Sequence, residues 1–385
     1  MFPADSLRET ALRLSLNRRD FLRFAAGSAS AAALLGFSPL RAMQAPKRPK
    51  VVVVTFGGGA RDEETFAPEG QENIPFMLRE LIPRGTFYTQ VVNHGILGHY
   101  VATASLATGV YETLNNFAAV APTNPTVFEY FRRDGKRPAH DAWVVAPSNG
   151  FNRIGGSSRN GYGPQFAAEV VLPKRLLAAS LSKAGDPDFK HLLNDNYETP
   201  LFAPELPAGA VDPASTADLL RLSLADFKAH ARNLTSPDEL SVYIARRLMD
   251  QLAPSLLWIT LHDIDIAHSG AFSLYLQGIQ RTDRLCAEIW TAIESSPEYK
   301  GRTTLLILPD FGRDSDTDPA GNGFQHHRTG DALSRTTWLL ALGPGVREGA
   351  VVDRPVDSLD LVPTLGKLLN FSPQFAQGKS LVEVL

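Results

Sequence analysis

Cysteine is almost absent from this sequence, because the 385 residues include only one, Cys286. A single thiol cannot close a disulfide within the chain, so an exported location would have to be tolerated without one. A surplus of basic residues is also lacking, since the formal net charge at pH 7 is −3. A net-acidic chain argues against nucleic acid as a partner, because binding to a phosphate backbone needs a basic face.

Repeats, heptads and long apolar runs are missing as well. Beyond the N-terminal region we find no second segment of the length that a membrane span requires. The content of 44% hydrophobic and 21% charged residues is that of an ordinary globular protein, which excludes a disordered or fibrous chain. The length allows one large domain with insertions or two medium ones, and the sequence does not indicate an oligomeric state.

The N-terminal residues 1–45 have the pattern of a targeting segment. Asn17-Arg18-Arg19-Asp20-Phe21-Leu22-Arg23 precedes a small-residue apolar run at 24–37. This arrangement resembles the twin-arginine export signal, although Asn17 stands where Ser or Thr is preferred. The apolar run is shorter than the roughly 20 residues of a bilayer span, and cleavage is expected after Ala42 or Ala45.

We therefore expect the twin-arginine translocase as a partner and a periplasmic or other extracytoplasmic location, reached in the folded state. A buried amphipathic helix and an uncleaved anchor are the alternatives for this segment. The body of the protein then covers residues 46–385.

Apolar runs of strand length alternate with amphipathic stretches of helix length along that body. The predicted strands are residues 51–56, 87–92, 143–146, 256–261, 303–308 and 338–342. The predicted helices are residues 74–81, 126–133, 216–231, 238–252, 272–293 and 358–369. The alternation predicts an α/β fold with a largely parallel sheet covered by helices on both faces.

The stretch at about 147–255 differs from the rest of the body. It starts with a segment rich in Gly, Asn and Ser at 148–163 and contains a Pro- and Ala-rich segment at 200–213. We interpret it as an insertion or cap that starts with a long loop and contains helices.

Polar clusters follow the predicted strands, where ligands bind in an open α/β sheet. Six of the nine histidines belong to these clusters, a concentration that scattered surface histidines would not show. They are His94, His99, His262, His268, His326 and His327.

Asp and His that converge from separate strand ends are metal-ligand types. Asp265 and His268 stand three residues apart, His326 or His327 supplies a ligand from a later loop, and Asp310 supplies another. Zinc is the expected metal, and manganese, iron or calcium also accept such ligands to different degrees. The alternative is that Asp265 and His268 cap the following helix or pair with Arg281.

Three familiar motifs are incomplete. The glycines at 57–59 lack the last Gly of a dinucleotide fingerprint, because Asp62 stands there. The triplet 310–312 spells the kinase metal motif without the other kinase signatures. The acidic run at 314–318 begins like a calcium loop but has Pro319 at the glycine position, so we expect a solvated loop, with weak calcium binding as the alternative.

The order of these segments resembles the alkaline phosphatase/sulfatase superfamily, in particular a branch whose members are often exported by the twin-arginine route. The segments that carry the resemblance are 51–56, 105–111, Asp265 with His268, 308–310, His326/His327 and 360–365.

The resemblance implies a three-layer α/β/α sandwich and a metal site, commonly with two zinc ions, for hydrolysis of phosphate or sulfate esters. Asp265, His268 and one of His326 and His327 match the first metal site, and Asp310 matches a carboxylate of the second.

The chain also departs from that pattern. Phe56-Gly57 replaces the Asp that usually follows the first strand, Phe311 replaces a His, and His99 stands at the position of the Ser, Thr or Cys nucleophile. Two hypotheses follow from the resemblance and these departures. The first is an exported hydrolase-like protein in which His99 lines the metal cleft and Arg313 or Arg328 holds a small anionic ester. The alternative is a non-catalytic protein of the same fold that serves binding or envelope assembly.

Overall fold

The six predicted strands all form, and they belong to one sheet. The computed structural model describes residues 48–118, 120–181, 186–193, 212–316 and 322–385. Within these residues the sheet has eight strands in the order β4-β3-β5-β1-β6-β7-β2-β8. The strands are β1 (Lys50–Phe56), β2 (Gly85–Val92), β3 (Ala142–Val145), β4 (Glu169–Val171), β5 (Leu256–Leu261), β6 (Thr303–Pro309), β7 (Thr336–Leu342) and β8 (Ala350–Asp357).

The largely parallel sheet expected from the sequence is confirmed. Strand β1 lies between β5 and β6 and is parallel to both. Strand β7 alone runs the other way, antiparallel to β6 on one side and to β2 on the other. Strand β2 is consequently parallel to β1, so β1, β2, β5 and β6 all end at the same edge of the sheet.

The helices of the described residues cover both faces of this sheet. They are α1 (His99–Thr108), α2 (Val127–Asp134), α3 (Pro173–Ala179), α4 (Lys190–Leu193), α5 (Pro213–Leu219), α6 (Leu224–Ala231), α7 (Pro237–Gln251), α8 (Phe272–Ser295), α9 (Ala332–Arg335) and α10 (Leu361–Leu369).

Alternate residues of β1 divide the core into two. Val52 and Val54 pack in a cluster with residues of α7 and α8, such as Ile244 and Ile279. Val51 and Val53 pack in a second cluster with residues of α1, α2 and α10. A strand that is buried on both sides has no polar face, which explains the continuous valine run. The predicted three-layer α/β/α sandwich is confirmed.

Three predicted helices differ in detail from the structure. The helix predicted over 216–231 is two helices, α5 and α6, because Arg221 adopts a left-handed φ of 47° between them. The helix predicted over 74–81 is a π-helical turn at Met77–Leu81, and the one over 358–369 starts as a 3₁₀ turn at Ser358–Asp360.

The region from 147 to 255 contributes the edge strand β4 and the helices α3 to α7, as far as the structure describes it. Helix α7 packs against β5, and α3 packs against α5 and α7. Its interpretation as an insertion stays a prediction.

Residues 1–45, predicted from the sequence to be an export segment, lie outside the described residues. Among those that are described, no helix combines the length and the apolar character that crossing a membrane requires.

Candidate metal centre

The loops that leave β1, β5 and β6 are tied together at the common edge of the sheet. The N–H of Gly57 donates to the carbonyl oxygen of Leu261, and the N–H of Asp310 donates to that of Phe56. Ends of strands that are fixed in this way bring side chains from distant parts of the sequence to one place.

Four side chains converge there. One donor atom each from His99, Asp265, His268 and His327 lies within 4.8 Å of the other three. Asp265 Oδ1 lies 3.1 Å from His99 Nε2 and 3.3 Å from His268 Nε2. His268 Nε2 lies 2.9 Å from His327 Nε2. We call this group the His₃Asp cluster.

His99 is the first residue of α1 and is buried. Its Nδ1 lies 2.7 Å from Asp310 Oδ2, and its ring stacks on that of Phe311 with centroids 4.9 Å apart. The other oxygen of Asp310, Oδ1, accepts the N–H of Gly58 at 2.9 Å. Asp310 thus holds the outer nitrogen of His99 and directs Nε2 into the cluster, the arrangement usual for carboxylates behind metal-bound histidines.

Asp265 lies in the 3₁₀ turn Asp263–Ser269 that follows β5. The guanidinium of Arg313, whose side chain is 0% exposed, donates to Asp265 Oδ1 at 3.0 Å. The same guanidinium donates to the carbonyl oxygens of Ile264 and Phe324. Arg313 therefore fixes the carboxylate of the cluster, which differs from the role expected from the sequence, that of holding a substrate anion.

Glycine is required at the turn after β1. A Cβ on Gly57 would lie 2.5 Å from Cδ2 of His262 and 3.1 Å from Nδ1 of His99. Gly58 has a φ of +67°, and a Cβ there would lie 2.4 Å from Nη2 of Arg313. Glycine at these two positions therefore allows the backbone of the turn to lie close to the cluster.

Some of the metal ligands predicted from the sequence join the cluster, and others do not. Asp265, His268 and His327 meet in the cluster, whereas Asp310 contacts His99 instead of joining the four donors. Among the described residues, His326 is outside the group, and its backbone is hydrogen-bonded to Gly323 and Asp314. His99, expected at the nucleophile position and in the lining of the metal cleft, is the fourth member of the group.

Charge interactions shift the pKa values of the cluster. Burial acts to lower the pKa of His99, but Asp265 and Asp310 outweigh it and raise this pKa to about 10. Burial acts to raise the pKa of Asp265, but His99 and Arg313 hold it well below its usual range. Burial and the charge of Arg313 lower the pKa of His268 to about 3, and burial and His99 lower that of His327 to about 4.

The donors fit a metal ion in both chemistry and spacing. Three imidazoles and a carboxylate are zinc ligands, and bonds of about 2.0–2.1 Å in a tetrahedral site place donor atoms about 3.3 Å apart. Three of the six separations, 2.9, 3.1 and 3.3 Å, are close to that value, and all six are at most 4.8 Å. In addition, Asp265 Oδ2 is buried and has no hydrogen-bond partner among the described residues, a costly state that a cation would relieve.

A cavity of about 390 Å³ opens beside the cluster and contacts Asp265 and His262. Lys174 and Arg281 bring positive charge to its wall, and Leu274 brings an apolar surface. A second cavity, of about 400 Å³, is lined by Arg61 and Trp338 and by none of the four donors. Of these two cavities, the first contacts a member of the cluster, Asp265.

Sequence reasoning missed the acidic residues that hold the cluster's loops. Asp238 in α7 is buried, and its carboxylate accepts the N–H groups of His262 and Asp263 at 2.7 and 2.8 Å. Asp314, expected in a solvated loop, is also buried and binds the peptide next to His327. An acid at the start of a helix or in a polar loop carries no sequence signal for burial.

No protein-family model matches the chain, and no curated protein sequence matches it. Solved structures do. A phosphonate monoester hydrolase from Silicibacter pomeroyi has a TM-score of 0.53 and 13% identity, over 87% of this chain and 76% of that one. Wild-type alkaline phosphatase PafA has a TM-score of 0.53 and 13% identity, over 89% of this chain and 100% of that one.

A third similar structure is the phosphonate monoester hydrolase of Agrobacterium radiobacter, with a TM-score of 0.51 and 15% identity over 88% of this chain and 77% of that one. Identities this low establish the architecture alone. The protein is thus an α/β/α protein with the alkaline phosphatase fold, and the resemblance expected from its motifs is confirmed at the level of the fold.

Proposed function

We propose that this protein is an exported, metal-dependent hydrolase of phosphate or sulfate esters, with one divalent metal held by the His₃Asp cluster. The observation that carries the proposal is the convergence of His99, Asp265, His268 and His327 at the edge of the sheet where such folds bind ligands. The similar structures named as an alkaline phosphatase and as phosphonate monoester hydrolases favour an anionic ester as the substrate.

A divalent metal supplies Lewis-acid catalysis at such a site, and zinc fits the donors best, with manganese or calcium as alternatives. The chain's own residues arrange the site. Asp310 accepts from Nδ1 of His99 and so keeps Nε2 directed at the other donors. Arg313 places one positive charge beside Asp265 without reaching the solvent.

The cavity beside Asp265 has two cationic side chains in its wall, Lys174 and Arg281, together with the carboxylates of Asp263 and Asp265. Arg281 donates to Asp263 Oδ2 at 2.9 Å. Cationic side chains in a cleft attract an anion and raise its local concentration.

The first experiment combines metal content and turnover in the purified full chain. We expect about one bound metal per chain in the wild type and a small fraction of that in Asp265→Asn, which removes the one anionic donor. Phosphate, phosphonate and sulfate esters form the substrate panel, with zinc and manganese added in turn. Asp353→Asn is the matched control, because Asp353 is exposed and accepts hydrogen bonds from Thr89 and Gln90.

A specific observation favours the alternative, a non-catalytic metal protein of the same fold. His99 fills the position that the resemblance assigns to the nucleophile, and four protein donors complete a tetrahedral zinc site, as structural sites do. Stoichiometric metal with no turnover of any ester in the panel would select this alternative. Turnover that disappears in Asp265→Asn would select the hydrolase.

The export route is part of the proposal. Support comes from the twin arginines Arg18 and Arg19, from the apolar run that follows them, and from the single cysteine, because a folded export substrate needs no disulfide. The twin-arginine translocase is the partner that this proposal requires.

A further inference from the structure

His327 is carried by a loop, and the neighbouring segment holds that loop on both sides of the histidine. The N–H of Asp314 donates to the carbonyl oxygen of His326 at 3.0 Å. Oδ1 of Asp314 accepts the N–H of Arg328 at 2.5 Å. One residue thus fixes the peptide groups immediately before and after His327.

The carboxylate of Asp314 would lose two of its three partners if the loop left this path. Its side chain is 3% exposed. Besides the N–H of Arg328, Oδ1 accepts the hydroxyl of Ser334 at 2.5 Å, and Oδ2 lies 3.3 Å from Nε of Arg328. A buried carboxylate that loses such partners is strongly destabilised, so the loop has little freedom to move away.

The segment 314–316 and the start of the loop that carries His327 are also in backbone contact. A Cβ on Gly323 would lie 2.4 Å from the carbonyl oxygen of Ser315 and 2.6 Å from that of Asp314. The N–H of Gly323 donates to Oδ1 of Asp316 at 2.8 Å. Because these backbones are in direct contact, the position of the loop that carries His327 is fixed relative to Asp314.

From this geometry we propose that Asp314 is the positioning residue of His327. Within the described residues it makes no hydrogen bond with an atom of the His₃Asp cluster, and it acts through the peptide groups of His326 and Arg328. The inference rests on the proposed function, because it takes His327 to be a metal donor. Outer residues that orient a ligand typically contribute 10–100-fold to metal affinity.

The test measures cobalt(II) affinity and the cobalt absorption spectrum of the full chain by titration against a competing chelator. We expect Asp314→Ala to bind about 10–100-fold more weakly and to show the altered spectrum of a site that has lost one histidine. Asp314→Asn keeps an oxygen for the N–H of Arg328, so we expect a smaller loss of about three- to tenfold. Urea unfolding confirms that each variant is folded.

Asp331→Ala is the matched control in the same loop. The Asp331 carboxylate binds Ser315 and the first N–H groups of the short helix α9, but no peptide next to His327. We expect its cobalt affinity and spectrum to equal those of the wild type.

Two results would overturn the inference. One would leave the proposed metal centre unaffected, and the other would reject it as well. If folded Asp314→Ala has the cobalt affinity and the cobalt spectrum of the wild type, Asp314 does not position His327, and the proposed metal centre is unaffected. If Asp314→Ala does not fold, the same result in Asp314→Asn has the same meaning. A wild-type chain that binds no cobalt would reject the metal centre and, with it, this role.

Discussion

Among individual side chains, His99 is the clearest departure of this site from the alkaline phosphatase/sulfatase pattern that the sequence resembles. It stands where a nucleophile was expected, yet both of its ring nitrogens face carboxylates, Asp310 at 2.7 Å and Asp265 at 3.1 Å. Without a metal, these carboxylates raise the pKa of His99 to about 10 and keep it protonated, so metal binding at Nε2 would release that proton and leave a neutral imidazole held by Asp310. The position of the nucleophile therefore carries a donor group in this chain.

Replacing Asp310 tests this arrangement. In Asp310→Asn an amide oxygen still accepts from one partner, but either Gly58 or His99 loses its acceptor, since an amide has only one oxygen. We expect metal affinity to fall by about 10–100-fold, measured by competition with a chelator. An affinity equal to that of the wild type would show that Asp310 does not orient His99.

A second side chain, Asp283 in α8, makes stability depend on pH. Burial raises its pKa to about 6, although it accepts the N–H groups of Phe76 and Met77. Its pKa in the unfolded chain is about 4, so the folded state holds the proton more tightly between these values. The free energy of unfolding therefore falls as the pH rises from about 4 to about 6, by about 2–3 kcal/mol from this group.

Asp283→Asn imitates the protonated carboxyl and removes this dependence. The measurement is urea unfolding of both proteins at pH 4, 5, 6 and 7. We expect the wild type to lose about 2–3 kcal/mol relative to the variant between pH 4 and pH 7. A difference that stays constant with pH would mean that Asp283 titrates normally.

The sequence identified donor types more readily than individual donors. His326 and His327 are adjacent and chemically identical, and only the path of the loop decides that His327 enters the cluster. Arg313 was expected in contact with substrate, because a sequence does not reveal that its side chain would be fully buried against Asp265. Burial and rotation of a loop depend on tertiary packing, which local patterns do not encode.

Among strands and helices, those with long apolar patterns were predicted most reliably. Strands β1, β5 and β6 follow their valine- and leucine-rich runs, because central strands have no polar face. The edge strands β4 and β8 were missed. Strand β4 has only three residues. Half of the eight residues of β8 are exposed, and the strand contains Pro355, which is tolerated at a sheet edge.

The turn after β1 gives a direct test of close packing around the cluster. Gly58 and Gly161 both have a positive φ, but a Cβ at 161 would meet nothing within 4 Å, whereas one at 58 would meet Arg313 at 2.4 Å. Alanine costs about 1–2 kcal/mol at either position from backbone strain alone.

We expect Gly58→Ala to lower the free energy of unfolding by at least about 1 kcal/mol more than Gly161→Ala, and to weaken metal binding. Urea unfolding and a metal titration of both variants measure these effects. Equal losses in the two variants, with metal affinity unchanged, would show that the turn is not packed against the site.

For the chain taken as one protein, the fold class followed from the alternation of strands and helices, and the shared edge of the parallel strands indicated where the site lies. The N-terminal segment was interpreted from composition and the twin arginines alone.

We predict that replacing Arg18 and Arg19 with lysine keeps the precursor in the cytoplasm, because the resemblance assigns export to this pair. Fractionation of cells that produce each form measures this, and equal export would reject the assignment.

The central claim is that one divalent metal binds between His99, Asp265, His268 and His327. Anomalous diffraction from crystals of the zinc-loaded protein, recorded on both sides of the zinc absorption edge, tests it most directly. The account predicts one strong peak within bonding distance of all four donor atoms, about 2.0–2.2 Å from each. A map without a peak there, or with the metal held by other residues, would contradict it.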